Sequence, residues 1–313
     1  MNKTADNNGV RCMVSFCMPT NGITEWVIPA LDSIYEQNAP DDEFEVIVAD
    51  NGDNNDFQNA ILKYQMTHKN LIYKKTQAKQ FLNQIESFKM AKGEFIKFVN
   101  HRFLLKDGTV QQILTFVKEN IKDKPVVFFS NGNLKQKEKV SVYNSFDEFV
   151  RGLSYWSSWS GGLAIWKSDF EKMSDQMTYN ETFPHTTVLF YEREKQKYII
   201  DDTIIMCEET GNAVRKGNYN LFKAFAAEYL SVIRELEKSK DISEETFECV
   251  KKDNIQMVGR LYFLFVVMKN KASYDLTDYK KYITEEYKMR QIKKAAFHYF
   301  ILLVLNKIGI KIL

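Results

Sequence analysis

Four unbroken apolar runs limit what this chain can fold into: 12–18 (CMVSFCM), 44–49 (FEVIVA), 94–99 (EFIKFV) and 125–130 (PVVFFS). A strand with one wet face alternates polar and apolar residues, so runs without alternation belong to strands covered on both sides. Helical signals separate them. Trp26, Val27, Ala30, Leu31 and Ile34 make an apolar stripe over 24–37. Further helices are expected over 55–67, 79–91 (stopping at Gly93) and 108–121, with another strand over 71–75. Strands alternating with helices predict an α/β fold with a mostly parallel, Rossmann-like sheet. Ligands of such sheets bind at the carboxyl ends of the strands.

The 313 residues, 44% hydrophobic and 27% charged, suffice for one large domain or two modest ones. Few prolines and glycines argue against disorder and fibrous classes. A net charge of +2 gives no field for nucleic acid, and no nucleic-acid partner is expected. The cysteines (Cys12, Cys17, Cys207, Cys249) show no C-x-x-C spacing, and the polar first ten residues do not read as a secretory leader. A reducing cytoplasm is the expected compartment. No apolar stretch reaches spanning length. Aromatic-rich loops fill 140–210 and a helical pattern runs from 218, so a domain over 10–210 and a helical region over 218–313 are expected.

The chemistry should lie where the strands end. Pro19-Thr20-Asn21 follows the first strand; its backbone and hydroxyl suit a ribose or base. Asp50-Asn51-Gly52 follows the second, offering an acceptor for a base N–H or ribose hydroxyl and a glycine for the turn beneath a ligand. Asn100-His101-Arg102 follows 94–99. Each alone is an ordinary turn; their order and spacing carry the signal.

Taken together, VSFCMPTNG, ALDSIYEQ, FEVIVADNGDNND, FLNQIESFKMAKGEFIKFVN and FLLKDG resemble the GT-A glycosyltransferases of family 2, over roughly 12–205. The resemblance implies inverting transfer of a sugar from a nucleotide-diphosphate donor to a hydroxyl acceptor. It puts Pro19, Thr20, Asn21, Asp50 and Asn51 on the nucleotide, with Lys79 or Asn83 reaching the base or phosphates. It also puts Asn100 and His101 beside the donor. The family holds a divalent cation with an Asp-x-Asp motif where this chain reads Asn100-His101-Arg102. Hard cations want carboxylate oxygens, and an arginine repels them. Arg102 then stands in for the metal, pairing with diphosphate oxygens. Two readings compete: Mg²⁺ or Mn²⁺ held by ligands elsewhere, and a non-catalytic binding or scaffold protein. Arg102 in an ordinary surface salt bridge is the plain alternative.

In the family an acidic pair that deprotonates the acceptor follows a Gly-Gly turn. Counting from Gly161-Gly162 and from the strand expected at 197–200 brings His185 to that place, with Glu181 as the second candidate and Asp201 and Asp202 behind it. A neutral imidazole is a competent base near pH 7. Trp156 and Trp159, spaced for one helical face, suit stacking on an acceptor sugar or packing in the core.

The last third reads as packing helices over 219–237 and 254–268, the second so apolar that it needs protein or a partner around it. Basic residues at 288–294, with Lys307 and Lys311, flank the apolar run 295–305. That pattern suits a helix on an anionic membrane surface, which places the protein peripherally on the inner face of the cell membrane. Docking on the chain's own domain, or a seam in a homo-oligomer, are the other uses of such a helix. Polysaccharide assembly on a glycan or lipid-linked acceptor fits this setting.

Overall fold

The computed structural model describes residues 12–173, 177–208 and 218–308. The first half runs β1 (Val14–Thr20), α1 (Thr24–Tyr35), β2 (Phe44–Asp50), α2 (Asn55–Thr67), β3 (Leu71–Lys75), α3 (Asn83–Lys89), β4 (Phe95–Phe98), β5 (Phe103–Leu105), α4 (Thr109–Asn120) and β6 (Val126–Phe129). Then come β7 (Val140–Tyr143), α5 (Phe146–Leu153), β8 (Ala164–Trp166), α6 (Lys167–Phe170), α7 (Pro184–Leu189), β9 (Tyr198–Asp201) and β10 (Met206–Glu208). Helices α8 (Tyr229–Lys238), α9 (Glu244–Tyr262), α10 (Tyr279–Glu286) and α11 (Met289–Lys307) complete the described chain. It divides into two units, 12–142 with 159–208, and 143–158 with 218–308.

In the first unit, a five-stranded sheet has the order β3-β2-β1-β4-β8. The first four strands are mutually parallel and β8 is antiparallel to β4, so the mostly parallel α/β architecture is as expected. Every residue of β2 is buried, and in β1 all but Pro19. Proline is tolerated there because the rungs with β4 end at Cys17, before it. Helix α1 buries the predicted stripe of Trp26, Val27, Ala30, Leu31 and Ile34. Val27, Leu31 and Ile34 each contribute about 1.5–3 kcal/mol when fully covered. Asn54 starts α2 by accepting from the N–H groups of Asp56 (3.1 Å) and Phe57 (3.3 Å).

Three expectations need correction. The run 125–130 gives β6, but β6 pairs in parallel with β9 in a separate sheet of order β6-β9-β7. The place beside β4 is taken by the three-residue β8. The helix expected over 79–91 opens as a 3₁₀ turn at Gln80–Leu82 before α3. The apolar run 254–268 is the end of a longer helix, since α9 begins at Glu244, capped by the Ser243 side chain accepting from Thr246 N–H. Its last turn, Phe263–Val267, is π-helical, and only Asn254, Val258, Gly259 and Phe263 of the run are buried.

The second unit takes in 143–158, a segment the sequence assigned to the first domain. Helix α5 is tied to the start of α9 by Arg151, which bonds Thr246 (2.9 Å) and Glu245 (3.0 Å). The buried Tyr229 hydroxyl on α8 bonds Ser157 (2.8 Å) and the Ser154 carbonyl (3.0 Å). Arg234 and Lys251 share the Glu286 carboxylate over the Phe247 ring. Of the basic residues read at the C-terminus, Lys311 lies outside the described residues.

Candidate active site

Parallel pairing of β1 with β2 (Thr20 opposite Asp50) and with β4 sets three strand ends side by side. Thr20 is the hub. Its hydroxyl accepts from Gly22 N–H (3.1 Å) and shares a 2.8 Å hydrogen bond with His101 Nδ1. Its carbonyl accepts from Asn51 N–H (3.0 Å) and the Asn83 amide (3.3 Å).

The turn after β4 is built on an unforeseen residue, Trp26 of α1. The Arg102 guanidinium lies 4.6 Å from the Trp26 ring and the His101 ring 5.2 Å from it. A cation over an indole face is held by the ring's quadrupole. Asn100 closes the turn by accepting from Arg102 N–H at 3.1 Å. Burial first, then the Arg102 charge, pushes the His101 pKa down to about 3, so its imidazole is neutral near pH 7. Arg102 pairs with Glu208 of β10 at 3.2 Å. Its Nε is buried without a hydrogen-bond partner among the described residues.

The sequence candidates therefore separate. Asp50 is fully buried: its carboxylate accepts from Gly52 N–H (2.8 Å), the Tyr73 hydroxyl (2.9 Å) and the Lys75 ammonium (3.3 Å). Asn83 is also buried, donating to the Ala49 and Thr20 carbonyls while accepting from the Thr76 hydroxyl at 2.6 Å. Both hold strand ends together. Asn51 donates to the Ala78 carbonyl at 2.9 Å, which fastens the loop before α3. Exposed side chains at this edge are Asn21 and Lys79, with Pro19 half-buried. Gly52 does not serve a left-handed turn. A Cβ there would lie 2.0 Å from the Asn21 carbonyl oxygen, so the glycine permits the two strand ends to touch.

His185 sits in α7, 5% exposed, its ring edge against Phe183. Glu181 is exposed on the loop before that helix. Helix α7 packs on α3 and β8. Asp202 is engaged with the loop after β6, accepting from Leu134 N–H (3.2 Å) and Gln136 N–H (2.9 Å). Trp156 and Trp159 do not share a helical face, because the 3₁₀ helix ends at Ser158. Trp159 packs edge-on against Phe103 and Phe128, in the first unit, whereas Trp156 stacks on Tyr155 in the second.

Lys97 was also missed. It is fully buried in β4, and its ammonium donates to the carbonyls of Gly161 (2.7 Å), Phe98 (2.9 Å) and Leu163 (3.3 Å). Burial pushes its pKa down to about 7. A lone cation inside an apolar run was the available signal. Nothing in the sequence joins Arg102 to Glu208, 106 residues away.

The turn 100–102 does not fit a divalent cation. It offers an amide oxygen already accepting a hydrogen bond, an imidazole nitrogen bound to Thr20, and a guanidinium.

Residues 15–198 match the sequence profile of glycosyl transferase family 2. The chain belongs to that family. It is a glycosyltransferase with the GT-A fold. The fold is similar to that of S. aureus TarS 1–349 in complex with UDP-GlcNAc, with TM-score 0.56 at 14% identity, covering 88% of this chain and 79% of that one. It is also similar to the mannosyltransferase PcManGT from Pyrobaculum calidifontis in complex with GDP-Man and Mn²⁺. There the TM-score is 0.50 at 15% identity, covering 92% and 86%. Against the longer S. aureus TarS chain (TM-score 0.51, 14% identity, 81% of this chain), the family 2 protein spans 43% of the length. No curated protein matches it.

Proposed function

We propose that the chain transfers one sugar, with inversion, from a nucleotide-diphosphate donor to a glycan or lipid-linked acceptor in bacterial surface polysaccharide assembly, without a metal ion. The observation that carries this reading is the cation on the turn after β4, where the Arg102 guanidinium lies 4.6 Å from the Trp26 ring; we read this turn as the counterpart of the family's metal-binding carboxylates. The fold neighbours held with UDP-GlcNAc and GDP-Man support a nucleotide-sugar donor.

In this reading Asn21, Lys79, Pro19 and Asn51 face the nucleotide, and Thr20, Asp50 and Asn83 set the floor beneath it. Arg102 takes the diphosphate as negative charge grows on the leaving group. Asn100 and the neutral His101 fix the turn. The acceptor proton passes to the 181–185 segment. Exposure favours Glu181, which a hydroxyl can reach without rearrangement, over the buried His185. Glu181→Gln is therefore expected to lower kcat roughly 10²–10⁴-fold while leaving nucleotide affinity unchanged. The reverse ranking, with His185→Gln alone abolishing turnover, would return the base to the histidine.

The test of the whole reading is calorimetry with UDP, GDP, CDP and dTDP, each with Mn²⁺ or Mg²⁺ and again with EDTA. One nucleotide is expected to bind equally well in both conditions. Binding that requires the metal would remove Arg102 from the role, and binding without turnover on any acceptor would leave a scaffold protein. The enzyme is placed in the cytoplasm, peripheral to the inner face of the membrane. Among the described residues no helix is long and apolar enough to cross one.

A further inference from the structure

Helix α11 keeps two faces. Ile292, Ala295 and Ala296 are buried against α9. That contact is close because Gly259 lacks a side chain: a Cβ there would come within 2.5 Å of the Ala295 Cβ. Tyr287, just before α11, bonds Asn254 (2.6 Å), and Phe300 packs on Phe263 (5.9 Å) further along, so the two helices run parallel and their far ends lie together.

The outer face is apolar over its last three turns. Phe297, Phe300, Ile301, Val304 and Ile308 recur every three or four residues and all are exposed, Phe297 at 62% and Ile308 at 67%. At the same end, where the π-helical turn closes α9, Val267 and Met268 are exposed too. Lysines bound the patch. Arg290, Lys293 and Lys294 precede it on the same helix face, Lys307 stands at its far end, and Lys269 and Lys271 follow Met268. From Tyr287 to Ile308 there is no aspartate or glutamate.

We propose that this two-element patch, from α11 and the π-helical end of α9, docks on an anionic bilayer, with the apolar side chains in the acyl boundary and the lysines among lipid phosphates. This refines the membrane placement proposed above and does not depend on the transferase reading. The charge pattern selects the occupant. A second copy docking about a twofold axis would bring lysine against lysine across the seam. A lipid surface of opposite sign gains from the same lysines while covering the apolar stripe.

The test is co-sedimentation of the full chain with vesicles of phosphatidylcholine and of an equimolar phosphatidylglycerol–phosphatidylcholine mixture, with circular dichroism to confirm folding. Binding to the mixed vesicles and not to the neutral ones is expected. Lys293→Ala with Lys294→Ala should lower partitioning about twenty-five-fold, at about fivefold per lysine. Phe300→Ser with Val304→Ser should lower it at least about tenfold. Val267→Ser with Met268→Ser should also lower it. If only this last pair leaves partitioning unchanged, the two-element patch is wrong although the membrane placement stands. No binding to either vesicle, or a solution dimer that Phe300→Ser with Val304→Ser dissolves, would overturn both.

Discussion

Arg102→Ala should lower kcat/KM for sugar transfer by roughly 10²–10³, the loss seen when one pre-aimed charge-stabilising group is removed from a dry site. The guanidinium is already in place over Trp26, and one of its donors is buried without a partner among the described residues. Its present partner, Glu208, is the weaker claimant. Its side chain is 44% exposed against 18% for Arg102, and a partly exposed pair contributes on the order of 1 kcal/mol, a modest cost for the proposed diphosphate to meet. Glu208→Gln, which leaves Arg102 uncontested, should therefore tighten nucleotide binding a few-fold (about 1 kcal/mol at most). Arg102→Lys should recover only part of the activity, because an ammonium offers neither the planar fork nor the stack on Trp26. Full turnover by Arg102→Ala would return this residue to an ordinary surface ion pair.

The second large effect concerns stability. Lys97 binds its proton until about pH 7 when folded, against 10.5 for the ordinary side chain. Between those values the unfolded chain holds more protons, so stability must rise with pH, by up to about 1.4 kcal/mol per unit. Cys17, whose thiol is pushed well above its ordinary value of 9.0 by burial, acts in the opposite direction once free thiols ionise, which confines the clean window to below that pH. Urea unfolding at about pH 7 and about pH 8.5 should show wild type gaining about 1–2 kcal/mol. Lys97→Met should remove that gain. Parallel changes in the two proteins would mean the lysine stays charged in the fold.

The sequence made the first half of the fold legible because parallel strands covered on both faces write themselves as continuous apolar runs. The same fact hid the membership of 126–129, since a buried parallel strand reads alike in either sheet. The deciding neighbour, Ala164–Trp166, is too short to read. Segment 143–158 read as part of the first domain because its partner, Thr246, is 95 residues from Arg151. At the site, residue types pointed to the strand ends but not to what each side chain faces. Asp50 and Asn83 look like ligand contacts by chemistry, and the sequence does not show that each is also buried and hydrogen-bonded to neighbouring strand ends. Trp26 read only as part of an apolar stripe, because its cation lies three strands further along the chain.

The contact between Gly52 and the Asn21 carbonyl also governs how such a site diverges. With 2.0 Å available, selection cannot place any side chain at position 52 without parting β1 from β2. In the proposed reading, a new donor preference is met by changes at the exposed Asn21 and Lys79 instead. A mutational library would show one frozen position set between two permissive ones.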